Sequence, residues 1–259
     1  MLTPNFPKKS LGQHFLKDKN ICAKIVKALN LEPEDTVLEI GPGRGALTFL
    51  LEESPYRYFF ALEKDWDLCL VLRQELPFLN LICADGLFFD WKRLNRFKKL
   101  KLVGNLPYNV ASPLLWNIFG ELFSYELAVF MVQKEVAERI VAKPGNKQYG
   151  LLSVWLQFFS KPKVLFSVPP GVFFPPPKVY SSVLVFYPRQ VEISTGEKKS
   201  LQKCLKVVFQ QRRKQLQKIL YNYLGYKVEE ELESLNLDPK VRPEALSGED
   251  FFRLALKFF

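Results

Sequence analysis

Residues 36–45 read TVLEIGPGRG, a short apolar run with one acidic residue that passes directly into a glycine-rich turn. This pattern is typical of a buried β-strand that leads through a tight turn into a helix. Glycine tolerates the backbone angles of such a turn and lets the main chain approach a ligand closely. The stretch therefore predicts the first strand of an α/β sheet, with a ligand site at its carboxyl end.

Four more apolar runs follow and are also predicted strands: Tyr58–Glu63, 81–85, 101–104 and 128–132. The intervening segments have helical patterns, at 46–53, 66–76 and 112–119. Strands that alternate with helices favour an α/β fold with a mostly parallel sheet and helices on both faces. A late strand is predicted at 182–186, at one edge of the sheet, after the proline-rich loop at 169–177.

The chain changes character after Pro188, where strand patterns give way to helical patterns at 198–224, 229–235 and Gly248–Phe258. The polar stretch at 191–197 contains a glycine and is the predicted linker. We therefore expect two domains, an α/β domain at residues 1–190 and a small all-helical domain at residues 191–259.

The composition points to a polyanionic partner, because the net charge is +10 and the pI is near 9.3. Nucleic acid is favoured over a membrane, since the sequence has no basic amphipathic segment and no apolar run of membrane-spanning length. Four cysteines without C-x-x-C spacing and a single histidine argue against a metal site. Residues 1–16 lack an apolar signal segment, so we expect a cytoplasmic protein with free thiols.

The glycine spacing narrows the class of ligand. No Lys-Ser or Lys-Thr follows the turn, which excludes a phosphate-binding P-loop, and the spacing differs from the dinucleotide motif G-x-G-x-x-G. Glu63 ends the second predicted strand, where a carboxylate can accept both ribose hydroxyls, and Asp85 ends the third, where it can meet an adenine amine. A nucleoside without phosphates fits this arrangement, and S-adenosyl-L-methionine fits it best.

Residues 105–108, Asn-Leu-Pro-Tyr, follow the strand predicted at 101–104 and suit the binding of an exocyclic amine. The Asn105 side-chain oxygen and the Leu106 carbonyl can each accept one N–H. Pro107 fixes its own φ angle and restricts Leu106 to an extended conformation, which directs that carbonyl. Tyr108 offers a ring on which a base can stack.

These segments together resemble a known family. The glycine-rich turn, Glu63, Asp85 and residues 105–108 are similar to the motifs of Rossmann-like class I adenine-N6 methyltransferases. Two further segments, LGQHFL at 11–16 and FFPPPKVYS at 173–181, resemble the ribosomal RNA adenine dimethyltransferases. In that family the first crosses over the cofactor and the second is an F-x-P-x-P-x-V-x-S loop. The resemblance implies S-adenosyl-L-methionine as the cofactor and methyl transfer to adenine N6 as the reaction.

The resemblance also implies site residues. The cofactor contacts would be Gln13, His14 and Leu16 at the methionine part, Gly41 and Gly43 beneath the cofactor, Glu63 at the ribose, Asp85 at the adenine, and Asn105 between cofactor and target amine. The Leu106 carbonyl would be the second acceptor for that amine, while Tyr108 and Phe173 would stack on the two faces of the target base.

The C-terminal segment indicates which RNA is methylated. FQQRRK at 209–214 and RPEALS at 242–247 are similar to motifs of the small-subunit enzymes, and Arg212, Arg213 and Lys214 are the candidate RNA-binding residues. The implied substrate is a pair of adjacent adenosines in the 3′-terminal hairpin loop of small-subunit rRNA. The implied partner is that rRNA or an immature small subunit, bound by a monomeric protein.

Four alternatives differ from this hypothesis. Close relatives methylate one adenine of large-subunit rRNA, and a non-catalytic ribosome assembly factor would bind the same particles. An assembly factor without activity would have lost cofactor motifs, yet every motif position is intact. A DNA adenine methyltransferase usually carries Asp-Pro-Pro-Tyr where this chain has Asn-Leu-Pro-Tyr. An NAD-dependent oxidoreductase is disfavoured by the glycine spacing.

Overall fold

The computed structural model describes residues 7–8 and 11–259, which form two compact units. The first unit comprises the described residues up to Ala137 together with Ser160–Pro188, and the second comprises Glu138–Phe159 and Arg189–Phe259. The division between the units after Pro188 lies close to the predicted domain boundary at residue 190. The structure groups Glu138–Phe159 with the C-terminal helices, an association between distant segments that no sequence pattern revealed.

The first unit is built on nine strands: β1 (Phe15–Leu16), β2 (Thr36–Ile40), β3 (Tyr58–Glu63), β4 (Asn80–Cys83), β5 (Leu100–Asn105), β6 (Leu127–Gln133), β7 (Ser160–Val168), β8 (Phe173–Phe174) and β9 (Ser181–Pro188). Seven of them form one sheet in the order β4-β3-β2-β5-β6-β9-β7. Strands β2 to β6 run parallel, whereas β9 is antiparallel to both β6 and β7. The remaining two, β1 and β8, form a separate antiparallel pair.

The helices follow the predicted alternation. They are α1 (Lys19–Ala28), α2 (Thr48–Glu52), α3 (Trp66–Glu75), α4 (Ala111–Glu121), α5 (Lys134–Val141), α6 (Leu151–Phe159), α7 (Thr195–Gln210), α8 (Leu216–Leu224), α9 (Glu229–Ser234) and α10 (Gly248–Phe258). Short 3₁₀ turns occur at Trp91–Arg96, Pro170–Val172 and Pro243–Ala245. The predicted fold class, a mixed α/β sheet with helices on both faces and a helical C-terminal region, is confirmed.

The predicted edge position of the last strand is wrong. Strand β9 lies between β6 and β7, and β7 is the edge strand. The sequence of β7, SKPKVLFSV, was not predicted as a strand because most of its residues are at least partly exposed and it contains a proline. Lysines and prolines are common on edge strands, where they hinder pairing with another chain.

Parallel pairing brings the functional segments together at the carboxyl ends of the strands. The register pairs Glu39 with Ala61 and Glu63 with Cys83, so β2, β3 and β4 end side by side. Strand β5 pairs with β2 on its other side, and a Cβ on Gly104 would come within 2.4 Å of the Ile40 carbonyl oxygen. Only glycine allows these two strand ends to approach so closely, which places Asn105 beside the glycine-rich turn.

The second unit is helical, with its core formed by apolar faces of α6, α7, α8 and α10. The predicted helix at 198–224 is wrong as a single element, because α7 ends at Gln210 and α8 begins at Leu216. The amide of Leu216 donates to the Val241 carbonyl, a tertiary contact without a local sequence signal. The predicted linker at 191–197 contains a capping box of Ser194 and Glu197 that starts α7.

Within the described part of the chain, no helix combines the length and the apolar character needed to cross a membrane.

Candidate active site

A cleft of about 960 Å³, counting the part open to solvent, lies at the carboxyl ends of β2 to β5. Clefts at this position of an α/β sheet are the usual ligand sites of such folds. The sequence-predicted residues that line it are Gln13, His14, Leu16, Gly41, Gly43, Glu63, Asp85, Asn105, Leu106 and Tyr108. The structure therefore brings together all the predicted cofactor residues and all the predicted catalytic residues except Phe173.

Glu63 is held by backbone amides at the centre of the cleft. Its Oε2 accepts from the Gly43 amide at 3.0 Å, while Oε1 accepts from the Lys64 and Asp65 amides at 2.8 Å each. Burial raises the pKa of this carboxyl, and the three hydrogen bonds oppose that rise. Three of its roughly four acceptor positions are thus occupied, which leaves one on Oε2 for a ligand hydroxyl.

Asp85 is bound to the residue that follows Glu63. Its Oδ2 lies 2.8 Å from the Lys64 ammonium and its Oδ1 accepts from the Leu87 amide at 2.9 Å. Burial acts to raise the pKa of Asp85, but the hydrogen bonds from Lys64 and Leu87 outweigh it and the pKa is lowered. The carboxylate is therefore charged at neutral pH and able to accept an amine.

The segment before β1 is fixed to the start of α3 by Gln13. Its Nε2 donates to Asp65 Oδ2 at 2.8 Å, and its Oε1 accepts from the Lys8 amide at 2.8 Å. The Lys8 ammonium bridges Asp65 at 2.6 Å and Asp67 at 2.7 Å. Because both polar ends of Gln13 are engaged, this side chain positions the segment over the cleft. Lys8 and Asp65 were missed by sequence reasoning, although Asp65 carries the signal of a helix N-cap.

His14 and Leu16 take different positions in this segment. The Nδ1 atom of His14 lies 2.7 Å from the Pro175 carbonyl oxygen, which can only accept, so Nδ1 carries a proton. The His14 ring stacks on Tyr108 with 5.3 Å between the ring centroids. Leu16 is buried opposite Phe173 in the β1–β8 pair and lines the cleft with its apolar side chain.

Asn105 is oriented by the same segment. Its Nδ2 donates to the His14 carbonyl oxygen at 2.9 Å, which fixes the amide and identifies Oδ1 as its acceptor atom. The Leu106 amide donates to the Met131 carbonyl at 3.1 Å, which fixes the peptide that follows Asn105. The two predicted acceptors therefore lie on adjacent residues with restrained conformations.

Tyr108 is half-buried, and its hydroxyl is hydrogen-bonded to the Ser181 hydroxyl. Burial raises the pKa of this phenol, so it is neutral over the physiological pH range. The Tyr108 ring is thereby fixed by its hydroxyl at one end and by the His14 ring on one face.

Phe173 is placed differently from the expectation. Its ring is 1% exposed and belongs to the same core cluster as Leu16, Met131 and Val183. Side chains alternate along a strand, so Phe173 faces the core and its neighbour Phe174 faces outward. Phe173 does not line the cleft, so the predicted stacking of a base between Tyr108 and Phe173 stays a prediction that would require the Phe173 ring to move.

Glu39 is a second buried carboxyl in the cleft. It is 1% exposed, and its Oε2 has no hydrogen-bond partner among the described residues. Burial, with a smaller contribution from the neighbouring Glu63 charge, raises the pKa of Glu39 to about 8. The side chain is therefore protonated at neutral pH, a state that its position two residues before the turn did not reveal.

The raised pKa of Glu39 predicts that stability falls as pH rises. Below about pH 4.5 both folded and unfolded chains hold this proton, and between there and about pH 8 only the folded chain does. Glu39 should then reduce the free energy of unfolding by up to about 1.4 kcal/mol per pH unit. We expect Glu39→Gln to flatten this decline, measured by urea unfolding from pH 5 to 8.

A smaller decline should persist in that variant, because the pKa of Glu63 is raised as well. Glu75→Gln, which changes an exposed glutamate on α3, is the matched control and should keep the wild-type slope. Equal slopes for the wild type and Glu39→Gln would contradict a protonated Glu39.

The three predicted RNA-binding residues lie in the turn between α7 and α8 of the second unit. Arg212 is half-buried, lies 3.4 Å from Glu244, and donates to the Asn146 carbonyl at 3.2 Å. Arg213 and Lys214 are exposed. Arg212 therefore joins parts of its own unit, and the other two cations are free to face a ligand.

The cleft fits the predicted cofactor. A Cβ added to Gly41 would find no protein atom nearer than the Asn105 carbonyl oxygen at 3.8 Å, so a side chain there would fill the cleft. The remaining acceptor position of Glu63 suits a ribose hydroxyl, and Asp85 suits an adenine amine. Among residues 7–8 and 11–259, no group of three or more His, Cys, Asp or Glu side chains is placed to hold a metal ion.

Comparison with protein families places residues 5–258 within the model for ribosomal RNA adenine dimethylase. Ribosomal RNA small subunit methyltransferase A of Nitratidesulfovibrio vulgaris (strain Hildenborough) is 49% identical over 255 residues, covering 97% of this chain and 96% of that protein.

Two solved structures have a similar fold. A dimethyladenosine transferase from Plasmodium falciparum superposes with a TM-score of 0.77 at 25% identity, covering 95% of this chain and 97% of that one. The 23S rRNA methyltransferase ErmE superposes with a TM-score of 0.66 at 24% identity, covering 94% and 99%. The identity with ErmE supports a shared fold and nothing finer.

Proposed function

We propose, since the chain belongs to the ribosomal RNA adenine dimethylase family, that it dimethylates two adjacent adenosines at N6 in the 3′-terminal hairpin loop of small-subunit rRNA. The methyl donor would be S-adenosyl-L-methionine. One observation supports the proposed reaction in atomic detail. The Asn105 amide donates to the His14 carbonyl, which leaves its oxygen as an acceptor beside the Leu106 carbonyl and the Tyr108 ring.

The two acceptors would activate the target amine. The lone pair of an adenine amine is delocalised into the ring, which makes the nitrogen a poor nucleophile. Hydrogen bonds from its two N–H groups to Asn105 Oδ1 and the Leu106 carbonyl favour a nitrogen closer to tetrahedral, with its lone pair directed outward. Because the two residues are adjacent and restrained, this alignment needs little reorganisation when the substrate binds.

The cofactor, when bound, supplies an electrophilic methyl group on a sulfonium. Glu63 would accept one ribose hydroxyl at its remaining acceptor position, which is fewer than the two expected from sequence, and Asp85 would accept from the adenine amine. Gly41 and Gly43 leave room beneath the cofactor, while His14 and Leu16 line the cleft near its methionine part. Gln13 would act through the position of its segment.

No side chain of the cleft is required as a strong base. The N6 proton becomes acidic only after the nitrogen has gained its methyl group, and water can accept it then. The His14 Nδ1–H group donates a hydrogen bond to the Pro175 carbonyl, and the Tyr108 hydroxyl is hydrogen-bonded to the Ser181 hydroxyl. Both side chains are thus engaged in positioning the cleft wall.

The target adenosine must leave its stack to reach the cleft, which costs a few kcal/mol and less in a hairpin loop than in a duplex. Stacking on the Tyr108 ring offsets part of this cost, since each stacked base contributes about 1–3 kcal/mol. A hairpin loop is therefore a more accessible substrate than a helical segment.

Arg213 and Lys214 would contact phosphates through the turn between α7 and α8. We expect the double variant Arg213→Gln/Lys214→Gln to bind small-subunit RNA more weakly and to lower the salt slope of binding by about 1.4–1.8, since each phosphate contact contributes roughly 0.7–0.9. The measurement is a titration of labelled RNA at several salt concentrations. Arg212 is left intact because it pairs with Glu244.

Lys92→Gln/Lys98→Gln removes two exposed lysines of the first unit and is the control. This double variant should bind RNA with the wild-type salt slope. If both double variants give the same slope, the turn does not contact phosphate.

The whole proposal is tested with labelled S-adenosyl-L-methionine and unmethylated small and large ribosomal subunits, followed by mapping of the modified nucleosides. We expect N6,N6-dimethyladenosine at two adjacent positions of small-subunit rRNA. Methylation of large-subunit rRNA alone would overturn the proposed substrate. A monomeric state, a cytoplasmic location and a partly assembled subunit as the particle bound are further parts of the proposal.

A further inference from the structure

The outer face of the β1–β8 pair carries an aromatic and cationic surface. The register pairs Phe15 with Phe174 and Leu16 with Phe173. Leu16 and Phe173 are buried, so alternation places Phe15 and Phe174 together on the opposite face. The Arg44 guanidinium lies 4.7 Å from the centre of the Phe15 ring and 5.9 Å from that of Phe174. We call Phe15, Phe174 and Arg44 the aromatic rim.

The aromatic rim adjoins the cleft in which the target base would react. Arg44 belongs to the glycine-rich turn, and both Arg44 and Phe15 line the cleft. Phe15 directly follows His14, whose carbonyl holds the Asn105 amide. Phe174 directly precedes Pro175, whose carbonyl accepts from His14. The rim is thereby connected to the reacting position by hydrogen bonds at both of its strands.

Much of the aromatic rim remains accessible. Phe174 is 48% exposed, and Arg44 is exposed as well, although it stacks on Phe15. A single exposed phenylalanine on a protein surface needs no explanation. Here, however, the exposed ring lies under a guanidinium at the mouth of a cleft, which is the combination that binds single-stranded nucleic acid.

The groups of the aromatic rim suit the base and the phosphate of a single nucleotide. An extruded adenosine leaves neighbours in the strand with unstacked bases and free phosphates. A flat exposed ring offers such a base a stacking surface, and a guanidinium binds a phosphate through two parallel N–H donors. The position beside the cleft limits the candidate nucleotides to those adjacent to the target.

We propose that Phe174 stacks on the base of a nucleotide flanking the target adenosine, while Arg44 binds its phosphate. This subsite rests on the proposed RNA methylation and adds a determinant of substrate binding outside the reacting pocket. It also explains why an aromatic ring at position 174 is left exposed when its neighbour Phe173 is buried.

The test measures steady-state methylation of unmethylated small subunits by Phe174→Ala. Loss of one stacked base should raise the KM for the subunits roughly tenfold, with a smaller effect on kcat. The dissociation constant for S-adenosyl-L-methionine, measured by calorimetry, should stay within twofold. Phe174→Trp should restore the KM, because it supplies another stacking ring.

Phe78→Ala is the matched control, since Phe78 is 95% exposed and lies before the amino end of β4, away from the cleft. It should leave the KM unchanged. Arg44→Met should raise the KM and lower the salt slope of RNA binding by about 0.7–0.9, whereas Arg44→Lys should keep the slope. Thermal unfolding of each variant identifies any that fails to fold.

Equal KM values for Phe174→Ala, Phe78→Ala and the wild type would overturn the subsite. If Phe174→Leu has the same KM as Phe174→Trp and the wild type, the stacking role is overturned, because leucine fills space without a ring. Failure of the wild type to methylate any subunit would instead contradict the proposed function, so the two failures are distinguishable.

Discussion

Replacement of Asn105 by alanine should abolish most methyl transfer while the cofactor still binds. The variant loses the acceptor Oδ1 and also the Nδ2 donor that the His14 carbonyl receives at 2.9 Å. Removal of one preorganised polar contact from a reacting group typically lowers kcat by about 10²–10³-fold. We expect a loss of that size in single-turnover methylation, with a cofactor dissociation constant raised less than tenfold.

Asn105→Asp separates the two functions of the side chain. Aspartate keeps acceptors for the amine but cannot donate to the His14 carbonyl. We expect it to be more active than Asn105→Ala and less active than the wild type. Near-wild-type turnover of the alanine variant would refute the role of Asn105 in amine binding.

Replacement of Glu63 by alanine should act mainly on cofactor binding. The carboxylate accepts from the Gly43, Lys64 and Asp65 amides and has one position left for a ribose hydroxyl. Hydrogen bonds to charged groups contribute about 1.5–3 kcal/mol, so we expect the dissociation constant of S-adenosyl-L-methionine to rise about 10–150-fold by calorimetry. At saturating cofactor, kcat should recover to within a few-fold of the wild type.

Glu63→Ala could also disturb the glycine-rich turn, since Gly43 loses its acceptor. Thermal unfolding without cofactor reports this effect, and Glu63→Asp provides a carboxylate that is one methylene shorter. A dissociation constant unchanged in the alanine variant would count against the ribose role. A loss of kcat that saturating cofactor does not restore would show that the turn, rather than ribose binding, depends on Glu63.

The sheet and the polar strand ends could be predicted because their signals are local. The apolar strand β2 is followed directly by the glycine-rich turn from Gly41 to Gly45. This local pattern indicates a buried strand that ends at a ligand site. Glu63, Asp85 and Asn105 each follow or end such a strand, and parallel pairing brings them to one edge. The proposed acceptor role of Asn105 was inferred only from the chemistry of its side chain and its neighbours.

Other features depended on tertiary contacts that the sequence does not encode locally. Gln13 lines the cleft as expected, but the hydrogen bonds of its side chain with Asp65 and the Lys8 backbone could not be predicted from a local pattern. The pKa of Glu39 is raised by burial, which a linear pattern cannot show.

The two adjacent phenylalanines show the same limit. Only pairing with β1 decides that Phe173 enters the core and that Phe174 faces outward. Side chains alternate between the two faces of any strand, but a strand of two residues has no sequence pattern that shows which residue faces the core.

The most direct measurement is a crystal structure of the protein with S-adenosyl-L-methionine bound. We expect the adenosine of the cofactor between Glu63 and Asp85, with its sulfonium methyl directed toward Asn105 Oδ1 and the Tyr108 ring. A cofactor bound outside this cleft, or a methyl directed away from the Asn105 side chain, would contradict the proposed site of methyl transfer.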